Sequence, residues 1–363
     1  MQKPLSDLAI YIKNTLPVEI PETYVLKPII KEMGDEKNIR EGVLAFKDFL
    51  NSLYDRLIID GDLYYKPPKK EDSHASLSVG YPFLDYLKSI LINIGHGDLH
   101  ENNASVILYD LQSLFSILGP GGSWKMRTKI TTPKLIECLK FLSICGIHFD
   151  GIDLHEKKVN MSNITSLVVK YPESHAMLLG LKVMATAHIQ LHITKYNDDL
   201  FLRCDYKALI DDETDITHLL KETFRSLSAK VQDFIMTLHN RYINAGLTCR
   251  YECKHLNFRF FYSHKSKEIW MLSASFHNGL RLLIKANNTN KYTDVIKSFS
   301  ESLQEKIARG YGCEKKRFGE PCQWGCHGFS FPLDDSILNI SGDIEVWLDK
   351  ELSCLQRKMR KEH

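Results

Sequence analysis

The sequence predicts an α+β protein: a mostly helical N-terminal domain ending in a winged-helix-like unit, then a duplicated hairpin-plus-helix (ββα) domain. Three observations predict it. Between Ile39 and Leu142, apolar residues recur at spacings of three and four, the period of one helix face. Two extended runs, Ile147 to Leu154 and Thr165 to Tyr171, then flank the polar stretch HEKKVNMSN. In the second half, two hairpin-like stretches lie about eighty residues apart, and each is followed by a Thr-Asp pair opening a helical stretch. The expected domains are 1–170 and 171–363, each long enough to bury its own core.

Each element has a local reason. Residues 5 to 16 read as a short amphipathic helix with Ser6 as its cap. Ile39, Val43, Phe46, Leu50, Leu53, Tyr54 and Leu57 form one stripe and predict a helix. Pro67, Pro68 and the charges after them predict a surface loop, and Pro82 sits in the first turn of the next helix. Leu111, Leu114, Phe115 and Leu118 give another helical stripe. Thr132 as cap and Pro133 at the first helical position open a helix that Gly146 ends. That helix, a strand, a polar loop and a strand are the back half of a winged-helix unit. His188 to Thr194 alternates apolar and polar residues, which predicts a strand turning at 196–199 into Leu200 to Asp205. Its counterpart is Ile269 to Phe276, Asn278-Gly279 and Leu280 to Lys285, a hairpin signal. Thr214-Asp215 and Thr293-Asp294 open the helices that follow.

Charge narrows the function classes. Lysine and arginine total 47 against 45 acidic residues, a net charge of +2, which disfavours a dedicated nucleic-acid coat. The N-terminal stretch lacks the charged-then-apolar pattern of a secretory signal, and no apolar run reaches the roughly 18 residues of a membrane span, so a cytoplasmic protein without a membrane partner is expected. Nine cysteines, an odd count, argue against a disulfide framework.

Three of those cysteines fall in Cys313–His327, CEKKRFGEPCQWGCH. Cys313, Cys322 and Cys326, with glycines around them, are candidate ligands of a zinc-type ion, and Cys253 or Cys249 is the expected fourth donor beside the more awkward His327. Unliganded thiols in a glycine-rich turn are the alternative. Lys125, Arg127, Lys129 and Lys134 precede and enter the Thr132 helix as candidate phosphate contacts of a DNA-binding winged helix.

Other patterns are read as structural. His96-Gly97-Asp98-Leu99-His100 with Asn103 resembles the catalytic loop of aminoglycoside phosphotransferase-like kinases, but no nucleotide-binding lobe precedes it, so a polar interhelical loop is expected. Gly119 to Lys125 lacks the Gly-Lys-Ser/Thr ending of a phosphate loop and reads as a turn. His188 and His192 read as a solvated strand face. LQEKIARGYGC with CQWGC resembles segments of an uncharacterised bacterial protein family without assigned activity, over the last quarter of the chain.

The expected function is a non-catalytic binding or regulatory protein, with a protein or small-molecule ligand and a structural zinc-type site. A metal- or thiol-dependent enzyme acting through the Cys313–Cys326 region is the first alternative. A DNA-binding regulator acting through residues 125–145 is the second.

Overall fold

The computed structural model describes residues 3–18, 25–64, 81–118, 123–156, 159, 161, 164–191, 200–210, 215–254, 256–286, 288–309 and 328–361. It mixes helix and sheet, as expected of an α+β chain. Its contacts separate two compact units, Met1–Thr214 and Asp215–His363.

In the first unit α1 (Leu5–Asn14), α2 (Pro28–Lys31) and α3 (Glu36–Tyr64) come first. All seven residues of the α3 stripe are buried, so the apolar period reported the packed face correctly. Ser6 lies inside α1 rather than capping it, and its hydroxyl donates to Asp62 of α3 at 3.1 Å. The next helix, α4 (Pro82–Gly95), begins at Pro82 as expected.

The stretch after α4 is richer in strands than its apolar period suggests. β1 (Asp98–His100) and β2 (Asn103–Ile107) form a hairpin where an interhelical loop was expected. After α5 (Leu108–Leu111) comes β3 (Ser113–Leu118), paired with β4 (Ser123–Lys129). Of the expected helical stripe only Leu111 is helical. A short apolar run fits either period, and here cross-strand pairing decides.

The order α6 (Thr132–Ile144), β5 (His148–Asp150) and β6 (Ser166–Lys170) matches the helix–strand–strand expected there, and β5 and β6 pair antiparallel. The cap of α6 is Thr131, one residue earlier than expected. The sheet order is β1-β2-β6-β5, with Ala104, Val106, Phe149, Leu167 and Val169 buried on it.

The last helix of this unit, α7 (Ala176–Leu191), overturns the strand expected from His188 onward: residues 188–191 are its final turn. The alternation there is one turn of a helix that is apolar on nearly every side, with Met177, Leu178, Leu181, Val183, Met184, Ala185, Ala187 and His188 all buried. Leu200–Cys204 form turns rather than a strand. The first hairpin of the expected duplication is therefore not formed by the described residues. The boundary read from the sequence, 170/171, falls just before α7, which packs against α3 and α4. The approach to α3 is backbone to backbone: a Cβ added to Gly180 would lie 1.9 Å from the Gly42 carbonyl oxygen. Residues 200–210 complete the unit. Arg203 donates to the Thr15 carbonyl at 2.8 and 3.0 Å and pairs with buried Asp205 at 2.9 Å.

In the second unit Asp215 caps α8 (Ile216–Thr223), accepting from the backbone of Thr217 and His218, so the Thr-Asp pair does open a helix. After α9 (Ala229–Asn244) come four consecutive antiparallel strands: β7 (Thr248–Lys254), β8 (Asn257–His264), β9 (Lys267–Ser275) and β10 (Gly279–Ile284). The Asn278-Gly279 hairpin is present. Ser275 pairs with Gly279, so residues 276–278 form a three-residue loop that Gly279 closes at φ +70°. Short α10 (Thr293–Ile296) starts at the second Thr-Asp pair; then follow α11 (Glu301–Arg309), β11 (Phe329–Pro332) and α12 (Ser341–Lys361).

The sheet order is β11-β10-β9-β8-β7. Strand alternation gives this sheet two chemically different faces. One carries Phe258, Phe260, Tyr262, Trp270, Leu272, Leu282, Ile284, Phe329 and Phe331, all buried. Helix side chains meet it: Tyr242 of α9 lies edge-on to Trp270 at 5.8 Å, and Trp347 of α12 lies 5.1 Å from Phe329. Tyr262 and Trp270 stack at 3.6 Å. A buried network ties α12 to the loop after β10: Glu351 accepts from the Asn288 backbone at 3.0 Å, from its side-chain amide at 2.9 Å, and from the Tyr292 hydroxyl.

Candidate functional site

Cys313, Cys322 and Cys326, with His327, lie outside the described residues. Their flanks are described. Before them, α11 buries Leu303 and Ile307, and Lys306 donates to the Ser330 carbonyl of β11 at 2.6 Å. After them, Gly328 sits at φ +94°. A Cβ there would meet the Ile284 carbonyl oxygen at 2.2 Å, so only glycine admits the chain to β11.

Cys249 and Cys253 are both on β7, four residues apart and on the helix-covered face. Cys253 is buried, while Cys249 is half-buried. β7 is the sheet edge opposite β11, four strand spacings away, or about 19 Å. Burial pushes the Cys249 thiol up to about 11, partly offset by its hydrogen bond with Tyr262. The Tyr262 hydroxyl also lies 2.9 Å from His239 Nδ1, so Cys249, Tyr262 and His239 form a buried polar chain. Burial holds the histidine below its ordinary value despite Asp215. Burial thus disfavours both charged forms, thiolate and imidazolium, along this chain. Burial likewise raises Cys145 to about 12 and Cys138 and Cys204 further. Among the described residues no three His, Cys, Asp or Glu side chains converge where a metal ion could sit.

The basic residues are spread over two elements. Lys125, Arg127 and Lys129 lie on β4 rather than in a lead-in to a helix. Lys125 is opposite Ser116 and Lys129 opposite Ser113, while Arg127 falls at the register shift that inserts an extra residue. Lys134 is in the first turn of α6, where it pairs with Glu137 at 2.7 Å. That hydrogen bond, against burial, raises its affinity for its proton. A cavity of 580 Å³ opens beside α6 and β5, with Lys140, Ile144, Ile147, His148, Asp150 and His155 among its walls. Asp150 is engaged by Lys170 at 2.5 Å.

Sequence reasoning missed the second face of the unit-two sheet. Register puts Arg259, Ser273 and Arg281 side by side across β8, β9 and β10, pointing to the same side. The neighbouring row is Phe261, Met271 and Leu283, a buried apolar cluster. Nothing in the linear sequence joins the two arginines, which are separated by a hairpin and a strand. Only alternation combined with the correct register could have found them.

Among the described residues no helix is long and apolar enough to cross a membrane. Compared with known protein families, with curated proteins and with solved structures, the chain shows no match.

Proposed function

We propose that the chain is a non-catalytic binding or regulatory protein whose cysteine-rich stretch folds around a zinc-type ion. The observation that carries this reading is the anchoring of both ends of that stretch on neighbouring strands: α11 is held to Ser330 of β11 through Lys306, and Gly328 is wedged against Ile284 of β10. Between those anchors the sequence holds three cysteines, four glycines and five charged residues, with Tyr311, Phe318 and Trp324 as its large aromatic side chains. Three thiolates in so short a stretch between fixed ends are suited to a metal cross-link, which orders a chain that it closes. Cys313, Cys322 and Cys326 supply three thiolates. As fourth ligand, Cys249 and Cys253 lie on β7, the sheet edge opposite β11, whereas His327 precedes β11 by two residues in the sequence.

The test is chelation. Zinc removal should lower the melting temperature of the native chain by several degrees, since about 1 kcal/mol shifts a unit of this size by a few degrees. Cys322→Ser/Cys326→Ser should already melt at the lower temperature and ignore the chelator. Equal melting of both proteins, with and without chelator, would overturn the reading.

A second reading is favoured by the α6–β5–β6 order, which supplies the helix, strand and strand of a winged-helix back half. As a DNA-binding unit it would draw on Lys125, Arg127, Lys129 and Lys134. Binding to duplex DNA should then weaken with salt, with a slope that falls by about one for each lysine neutralised. Binding that is indifferent to Lys125→Gln and Lys129→Gln removes this reading.

A further inference from the structure

We propose that the second face of the unit-two sheet binds a phosphate group of a small molecule, seated over Ser273 between Arg259 and Arg281. The inference goes beyond the metal-stapled reading, because it needs neither the cysteines nor an ion.

The seat follows from register. Arg259 and Arg281 flank Ser273 directly, one on each neighbouring strand. Two strand spacings put their Cα atoms about 10 Å apart. Serine is the smallest side chain in that row, so the two long side chains border a notch whose floor carries a hydroxyl. Met271, buried, closes one end of the notch. At the other, Ser275 is tied to the hairpin loop, its hydroxyl accepting from the Asn278 backbone at 3.0 Å.

The charge balance of this face leaves the notch positive. Its two carboxylates have other partners: Glu252, which register places on β7 directly beside Arg259, pairs with Arg250, and Glu268 pairs with Lys285 and lies 3.8 Å from Arg250. Arg250 also lies over the Phe261 ring at 4.7 Å, which fixes it away from the notch. Among the described residues, no carboxylate lies within 4 Å of Arg259, Arg281 or Lys306. Arg281 is oriented by its Nε–H, which donates to the Ser330 hydroxyl. Lys306 reaches the β11 edge from the helix-covered side, 4.1 Å over the Phe331 ring. Burial, and then the charge of Arg281, favour loss of its proton, an independent sign that positive charge is crowded here. Two half-buried guanidinium groups flank Ser273 with no carboxylate in contact with either, an arrangement that an anionic ligand would stabilise.

Phosphate fits the donors better than a carboxylate. Two guanidinium forks and a hydroxyl approach from three directions, and a tetrahedral oxyanion presents an oxygen to each. A carboxylate has only two oxygens, in one plane.

The test is titration calorimetry on the full chain at low salt, with inorganic phosphate and pyrophosphate as probes and succinate as a dicarboxylate control. Saturable binding of one phosphate probe per chain is expected, with a Kd below about 1 mM. Arg259→Gln and Arg281→Gln should each weaken it about tenfold or more, the loss expected for a charge-assisted hydrogen bond. Ser273→Val fills the notch without altering charge and should weaken it comparably, while exposed Lys297→Gln should not. Arg281→Gln also removes a hydrogen bond to Ser330, so Arg259→Gln, which breaks no hydrogen bond or ion pair among the described residues, is the decisive variant. No saturable binding, equal affinity in Arg259→Gln and the native chain, or tighter binding of succinate than of either phosphate would each overturn the proposal. Metal content, read in parallel, separates this result from the fate of the cysteine site.

Discussion

Arg203 and Asp205 show what one buried pair does. Their side chains are 5% and 1% exposed, and Arg203 also satisfies the Thr15 carbonyl, which joins residues 200–210 to the end of α1. Burial alone would raise the Asp205 carboxyl, but Lys207, Arg203 and the Lys207 backbone outweigh it and hold the group below its ordinary value. Removing one partner strands the other charge, so Arg203→Ala should destabilise the first unit by about 3–5 kcal/mol in urea unfolding. The histidines give a pH dependence of defined sign. Burial depresses His239 in the folded chain, and burial with Lys182 depresses His96. The unfolded chain therefore takes up these protons first. Their contribution is complete above the unfolded value of about 6.5 and is lost as pH falls through it toward the lower folded values. Melting temperature should drop between pH 7 and 5, and His239→Gln should flatten that drop; an unchanged slope would assign the acid sensitivity elsewhere.

Among elements, those marked by a local signal were legible, and those set by packing or pairing were not. The α3 stripe, the Pro82 and Pro133 starts and the Asn278-Gly279 hairpin each follow from local chemistry that tertiary packing did not override. α7 failed because a helix buried on most sides has no polar stripe, so one chance alternation looked like a strand. β3 failed because its six residues satisfy both periods. The cationic row was illegible for a different reason: register belongs to the folded sheet, not to any segment. Close approach at Gly180 makes a sharp test of α7 packing. Gly180→Ala pushes a methyl into the Gly42 carbonyl and should cost about 1–3 kcal/mol or more, since the obstruction is backbone and cannot rotate away. A neutral substitution would mean that the two helices do not cross there.

At the scale of the molecule, each unit has its own core. The second unit gathers Trp270, Trp347, Tyr262 and Phe260 between one sheet face and its helices, and Glu351 locks α12 to the loop at Asn288 and Tyr292. A chain limited to 215–363 should therefore fold with β-sheet circular dichroism and a single cooperative melt; a non-cooperative melt would mean that its core is incomplete. The cysteine stretch belongs to this unit, between α11 and β11, and its role decides whether the molecule is a metal-stapled binding protein. The most direct measurement is the metal-to-protein ratio of the anaerobically purified chain by elemental mass spectrometry, beside Cys322→Ser/Cys326→Ser. The account predicts close to one zinc per native chain and none in the variant. No metal in the native chain, or the same zinc content in both, would contradict it.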